Sequence, residues 1–519
     1  MTRLTLLLIL VATMATSAFS TPRILDLPGP DEAALLAEDK RLAPDGPTRF
    51  AWPAEVALKA NDGDGWDRLD DGRHRWRLDV RAPGSLSLNF GFERFRLPWG
   101  ATLTVEGERG PVRRFTSDDN QDHGQLWTPV VLGDDARLTL ILPPGQRDDF
   151  ELEMIHVGRG YKFFDDGVDD IPGYCNIDVI CSEGDEWRRQ IRSVGVYTRE
   201  GRWVCTGSMV NNTRNDGTPY FLTASHCDID EDNAATVVVY WNFESPVCGD
   251  LFGGNLDDAQ SGAVWRADYA PSDMSLIEMS ARPDTSWHVS YGGWDRSGDS
   301  VPEAVAIHHP STGVKCISFE DDALEITSYL QFEVPGDGSH WRVIDWDLGT
   351  TEGGSSGSPL YDDQQRVVGQ LHGGAAACGN DASDWYGRLS VSWTGGGTDD
   401  SRLSNWLDPA GTGAMVLDIY DPLGPPIIEP DPVFSFAGAQ PNPYVGTVVP
   451  IHFSLDEPGH ARMAIFDLRG RRVALLADQN FGEGEHTVSW EAQQVASGAY
   501  RCRLETKGMV LTKWLTLIK

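Results

Sequence analysis

Residues 21–162 alternate apolar and polar positions in short runs. Arg75-Trp76-Arg77-Leu78-Asp79-Val80 and Leu138-Thr139-Leu140-Ile141-Leu142 have the two-residue period of a half-buried strand. Gly, Pro and Asp turns separate these runs, which predicts a β-rich module. The middle of the chain is Gly-rich and also reads as β, with a strand expected over Thr236-Val237-Val238-Val239-Tyr240-Trp241. In the last 87 residues the clearest strands are 461–468 and 498–504, as expected for another small β-sandwich. The start differs: Met1-Thr2-Arg3 precedes an apolar run from Leu4 to Ala12 broken only by Thr5, and Ala18-Phe19-Ser20 offers a small-x-small cleavage site. This pattern predicts a secretory signal peptide over 1–20, too short for a permanent span; a buried core helix is the alternative.

The boundaries follow from the breaks in pattern. Phe163 to Gly173 is an acidic junction with Asp165, Asp166, Asp169 and Asp170, and five prolines between Asp421 and Pro432 make a stiff linker. The expected order is signal peptide (1–20), β-rich propeptide (21–162), central domain (163–420), linker (421–432) and C-terminal sandwich (433–519). A chain of 519 residues needs several cores.

Composition sharpens the picture of the middle. The formal net charge is −35, which excludes a nucleic-acid partner because phosphate neutralisation needs a basic face. Residues 163–420 hold 42 acidic and 14 basic side chains, so the central domain carries most of that charge. No later stretch approaches eighteen apolar residues, so no permanent membrane span is expected. Seven of the eight cysteines, Cys175, Cys181, Cys205, Cys227, Cys248, Cys316 and Cys378, also lie there, and the last is Cys502. An exported chain permits disulfides, and the absence of any CxxC pair argues against structural zinc. Asp228, Asp230 and Asp232 alternate as in a calcium loop, but the twelfth position that needs a bidentate acid is Val239. Asp62-Gly63-Asp64-Gly65 also completes no pattern. No metal and no cofactor are expected.

Two stretches carry chemistry. Thr223-Ala224-Ser225-His226-Cys227 places a His beside a Cys that can pair back to Cys205. Gly354-Ser355-Ser356-Gly357-Ser358-Pro359 puts a Ser in a glycine-lined turn. Such glycines let backbone N–H groups face a developing oxyanion, and a Ser nucleophile needs a base that a carboxylate orients. The carboxylate candidate is Asp273, which leads into an alternating strand; Asp257, Asp258 and Asp268 are its rivals. The order His, Asp, Ser is that of chymotrypsin-like proteases.

Residues 173–418 resemble a bacterial lysyl endopeptidase of the trypsin superfamily. The matching stretches include CNIDVIC at 175–181, CTGSMVNNT at 205–213, YFLTASHC at 220–227, GSSGSP at 354–359, GQLHGG at 369–374 and SDWYGR at 383–388. The resemblance implies a chymotrypsin-like double β-barrel with His226 as base, Asp273 as its orienter and Ser356 as nucleophile. It makes the N–H groups of Gly354 and Ser356 the oxyanion hole, and it pairs Cys175 with Cys378, Cys181 with Cys248 and Cys205 with Cys227. Cys316 and Cys502 have no partner in the family pattern.

The resemblance also implies a substrate, a polypeptide with Lys at P1. The position that holds the P1 acid in trypsins is Thr350, and lysyl endopeptidases use an Asp in the motif matching Ser383-Asp384-Trp385-Tyr386-Gly387, which makes Asp384 the expected partner of the substrate ammonium. A turn-capping role for Asp384 is the alternative. His372 matches a family histidine that stacks on a tryptophan beside the active site, and Tyr329 or a neighbour is expected to replace that tryptophan. Lys315 is the single Lys in 163–420 against 13 Arg, as suits a protease that cuts after Lys, and Lys162 stands at the acidic junction, where self-cleavage would release a zymogen's propeptide. Trypsin's activating ion pair cannot form, because the residue before the nucleophile is Ser355. The tail resembles a type IX secretion sorting domain through Pro441-Asn442-Pro443, the run 465–471, Gly484-Glu485-His486 and Ser497-Gly498-Ala499-Tyr500. That implies secretion machinery as a partner; the same sandwich could bind surface polymers instead. The expectation is a secreted, monomeric serine endopeptidase. The alternatives are an Arg-cutting or broadly basic enzyme and an idle secreted binding module.

Overall fold

A computed structural model describes residues 21–41, 46–162, 173–424, 434–439, 444–455, 458–466, 472–506 and 509–519. The expected signal peptide, the acidic junction over 163–172 and most of the proline linker lie outside these residues. The described chain is mostly β, in three successive regions.

The N-terminal region builds a ten-stranded sheet whose central path runs through His74–Arg81, Val131–Leu142, Ser87–Arg96, Glu151–Gly160 and Ala51–Lys59. The alternation seen in sequence is the burial pattern: along Val131–Leu142 buried positions recur almost every second residue. They join Trp76, Leu78, Phe90 and Leu103 in one core. The edge strand Ala51–Lys59 is more exposed and tolerates Pro53 because only one of its sides is paired by Glu151–Gly160.

The central region is a pair of antiparallel sheets following one another in sequence, the double β-barrel of chymotrypsin-like proteases. The first contains Val194–Arg199, Trp203–Val210, Tyr220–Ala224, Met274–Met279 and Ala263–Tyr269 in consecutive pairing. The second runs from Cys316–Glu320 through Ala304–His308, Pro359–Tyr361, Val367–Gly374 and Asp384–Arg388 to His340–Val343. The strand expected over 236–241 is shorter, Val238–Tyr240, because Ala234–Thr236 closes a 3-10 turn in which Thr236 Oγ1 donates to Asn233 O at 2.7 Å. Cys175–Cys378, Cys181–Cys248 and Cys205–Cys227 form disulfides, while Cys316 and Cys502 are buried free thiols.

The C-terminal region has a three-stranded and a five-stranded sheet enclosing Ile451, Phe453, Met463, Ile465, Trp490, Leu504 and Leu515. Among the described residues no helix is long and apolar enough to cross a membrane.

Candidate active site

The first barrel delivers a His–Asp pair by strand register. Ala224 lies opposite Met274 in the pairing of Tyr220–Ala224 with Met274–Met279, so the residues just beyond the pair, Ser225-His226 and Asp273, meet at one sheet end. Asp273 is left-handed (φ 52°) and buried, and its turn sends both carboxylate oxygens back toward His226. Oδ1 accepts from the His226 backbone N–H at 2.9 Å, and Oδ2 lies 2.8 Å from His226 Nδ1. The ring is thereby fixed with Nδ1–H donating to the carboxylate, which leaves a lone pair on Nε2. Nε2 is buried and has no hydrogen-bond partner. The rival acids are engaged elsewhere or remote. Asp268 accepts from Ser225 Oγ at 2.8 Å and is pushed up to about 6, chiefly by burial, while Asp258 accepts from Asn242 at 2.6 Å. Asp257 lines a separate cleft with residues of the N-terminal region.

The Ser356 turn comes from the second barrel and is pressed against the first. Gly357 has φ 82°, and a Cβ there would sit 2.8 Å from Ala224 N and against Thr223 Oγ1 and Thr206 O. Only glycine lets the turn approach the strand that carries His226 this closely. Thr206 holds the turn from the same side, its N–H donating to Ser356 O and its Oγ1 to Gly354 O, both at 2.8 Å. Among the described residues the N–H groups of Gly354 and Ser356 and the Ser356 hydroxyl donate to no acceptor, as a site awaiting substrate requires.

Contacts that the sequence motifs do not mark order this loop. Ser355, where trypsin has an acid, points inward to His308 Nδ1 at 2.8 Å, and His308 Nε2 meets Ser318 Oγ at 3.0 Å. Burial holds His308 down to about 3, so it is neutral and both nitrogens are used in structure. Glu352 accepts from Gly173 N at 2.9 Å, from Asn176 Nδ2 at 3.0 Å and from Ser311 Oγ. It fastens the start of the central region to the loop before Ser356. Nothing local in the sequence marks these residues, because their partners lie far along the chain.

His372 forms the middle of an aromatic stack. Tyr329 lies face to face with it at 3.5 Å between centroids, and His226 stacks on its other side at 5.5 Å. Its Nδ1 meets His340 Nε2 at 2.9 Å, and Ser339 Oγ holds His340 Nδ1 at 2.7 Å. Burial, with His226 and His340 adding to it, pushes His372 down to about 2. A neutral ring is therefore held beside His226. His226, Asp273 and His372 bring ligand atoms within 4.8 Å of one another, but a cation there would have to displace the His226–Asp273 hydrogen bond.

Asp384 opens the strand Asp384–Arg388, directly across from Gly374, where any Cβ would collide with Asp384 Oδ1. It is completely buried. Oδ2 accepts from Thr351 Oγ1 at 2.6 Å and from Trp346 Nε1 at 2.8 Å. Burial raises its pKa, and these donors oppose the rise. Among the described residues no Lys or Arg pairs with it, whereas the buried Lys315 is fully used by Glu244 Oε1, Trp241 O and Ile191 O at 2.8–3.0 Å. Of the alternating acids in the loop after His226, Asp230 Oδ1 caps the N–H groups of Asp232 and Asn233, and Asp228 pairs with Arg199.

Lysyl endopeptidase of Pseudomonas aeruginosa is 28% identical over 380 residues, 66% of this chain and 77% of that protein. The protein is a serine endopeptidase. Residues 170–387 match the family model described as lysyl endopeptidase, C-terminal domain. The solved structures include the VesB protease of Vibrio cholerae (11% identity, 63% of this chain and 96% of that one, TM-score 0.28). They also include the Rv3671c protease of M. tuberculosis in its active form (14% identity, 44% and 88%, TM-score 0.27).

Proposed function

We propose that the protein is a secreted endopeptidase that cleaves on the C-terminal side of Lys through an acyl-enzyme. The observation that carries the specificity is Asp384, a buried carboxylate with neutral donors and no cation of its own. Burying an ion without a counter-ion is costly, so the site favours a ligand that supplies the positive charge. The geometry favours an ammonium over a guanidinium. Thr351 and Trp346 already occupy Oδ2, whereas a bidentate Arg fork needs both oxygens, and an ammonium binds as a point charge.

In the proposed reaction the substrate Lys lies with its ammonium toward Asp384. Ser356 Oγ attacks the carbonyl carbon as its proton passes to His226 Nε2, and Asp273 stabilises the imidazolium. The N–H groups of Gly354 and Ser356 take the oxyanion. Collapse expels the amine, which receives the proton from His226, and a water activated by the same nitrogen hydrolyses the ester. His372, neutral and clamped by Tyr329 and His340, forms a wall beside His226 that faces the bound chain.

The same reading takes residues 1–20 as a signal peptide, 21–162 as a propeptide released by cleavage near Lys162, 421–432 as a linker and 433–519 as an immunoglobulin-like sorting domain. The protein would act as a monomer outside the cell. Peptide-library cleavage by wild type and Asp384→Asn tests the specificity. The expected result is a Lys preference in wild type that the variant loses; cleavage after Arg and Lys alike, or an unchanged preference in the variant, contradicts the assignment.

A further inference from the structure

The strand Trp203–Val210 has an edge that the first barrel leaves partly open. Only Ser208, Met209 and Val210 pair with Tyr220–Ala224. Farther back on the same edge, Trp203 and Val204 pair antiparallel with Arg49 and Thr48 of the N-terminal region, and between the two pairings Thr206 holds Ser356. The strand segment at 48–49 is thus about two residues, or about 7 Å along the strand, from the residue that grips the nucleophile turn. Thr48 Oγ1 lies 3.2 Å from where a Cβ of Gly353 would be, and Pro47 shares a cleft of about 710 Å³ with Ser225 and His226.

We propose that Gly46–Arg49 is a substrate-like plug that fills the leaving-group side of the cleft and cannot be cut. This rests on the endopeptidase reading above. Continued in register, the antiparallel pairing sets Gly46 opposite Thr206, and so at Ser356. The chain then runs away from the nucleophile toward Trp203, the path along which residues after a scissile bond would leave. Gly46 offers Asp384 no side chain, and the next amide belongs to Pro47, which is tertiary and has no N–H. An extended segment added to an open strand edge is a general mode of peptide capture.

The plug is anchored firmly. Arg49 is buried and pairs with Asp39 at 2.7 Å, and Tyr161 Oη donates to the same carboxylate at 2.8 Å. Lys162, the last residue before the junction, pairs with Asp39 as well. One carboxylate therefore ties the plug strand to the proposed maturation site. Phe50, Ala51, Trp127 and Val130 pack with Val196, Val204, Val238 and Tyr240 in a shared apolar core, so cutting the junction alone leaves the plug seated.

The test converts the plug into a substrate. Full-length Gly46→Lys with Pro47→Ser is expected to cut itself between residues 46 and 47 at a rate independent of protein concentration, and the cut is expected to vanish when Ser356→Ala is added. A concentration-dependent cut, or none while the fluorophosphonate label still reaches Ser356, overturns the plug. Failure of the label in enzyme freed of residues 21–162 overturns the site assignment on which the plug rests. A second measurement uses Lys162→Arg to keep the chain unprocessed. It is expected to cleave a peptide extended past Lys about 100-fold more slowly than enzyme from which residues 21–162 have been removed. Adding Asp39→Asn is expected to narrow that gap, and equal rates on the long peptide in both forms overturn the proposal.

Discussion

Two histidines of the catalytic region, the partly buried His226 and the fully buried His308, are wired oppositely. His308 spends both ring nitrogens on Ser355 and Ser318, whereas His226 spends Nδ1 on Asp273 and keeps Nε2 without a partner. The same contrast separates Lys315 from Asp384, both of them buried. Lys315 has three acceptors, one of them a carboxylate, while Asp384 has neutral donors and no cation. Burial marks both kinds of site; the group left with an unmet valence is the one placed for a ligand.

The largest effect expected from this contrast is on His226. His226→Ala should lower kcat/KM about 10⁶-fold, as losing a member of a cooperating catalytic unit does, with the melting temperature held within a few degrees. Steady-state kinetics and calorimetry on one preparation check both halves. A similar fall in melting temperature would make His226 another His308.

Asp384→Asn comes next, with kcat/KM for Lys substrates expected to fall about 10²–10³-fold, the effect of removing one partner of a buried charge pair. Its pH dependence follows from burial. Because the pKa is raised, Asp384 takes up a proton earlier on acidification than a solvated Asp. Lys binding should therefore weaken, and KM rise, as pH falls toward the raised value, while the Asn variant shows no such rise.

Lys315→Ala should do the converse. Stranding Glu244 and two carbonyls should cost about 3 kcal/mol of stability, read by denaturant titration, with the Lys preference unaltered. A changed preference would mean that Lys315 feeds into the substrate site.

The smallest effect concerns His308. Its folded value of about 3 lies below the 6.5 of an exposed imidazole, so the unfolded chain binds the proton first on acidification. The stability it contributes is complete above about 6.5 and shrinks as pH falls from there toward 3. The gap in melting temperature between wild type and His308→Asn should therefore narrow between pH 7 and pH 4. A constant gap would show that His308 titrates like an exposed group.

The proposed reacting groups are legible in the sequence, since His226 and Ser356 stand in short motifs and Asp273 precedes a recognisable strand. Strand alternation likewise foretold most of the sheets, because burial follows a two-residue period wherever one face meets a core. What stayed hidden depends on contacts distant along the chain. Glu352 reaches Gly173, Thr351 and Trp346 reach Asp384, and Arg49 pairs with Trp203, each across more than thirty residues. No local pattern encodes such pairings. The shortened strand at 238–240 shows the smaller kind of miss, where a side chain bonding its own backbone ends an otherwise strand-like run.

The most direct test of the catalytic account is the site of fluorophosphonate modification, mapped by mass spectrometry on folded protein. The account predicts a single label on Ser356 that disappears in His226→Ala and in Ser356→Ala while both variants keep their melting temperature. A label on Ser355 or Ser358, or one that survives the loss of His226, would contradict it.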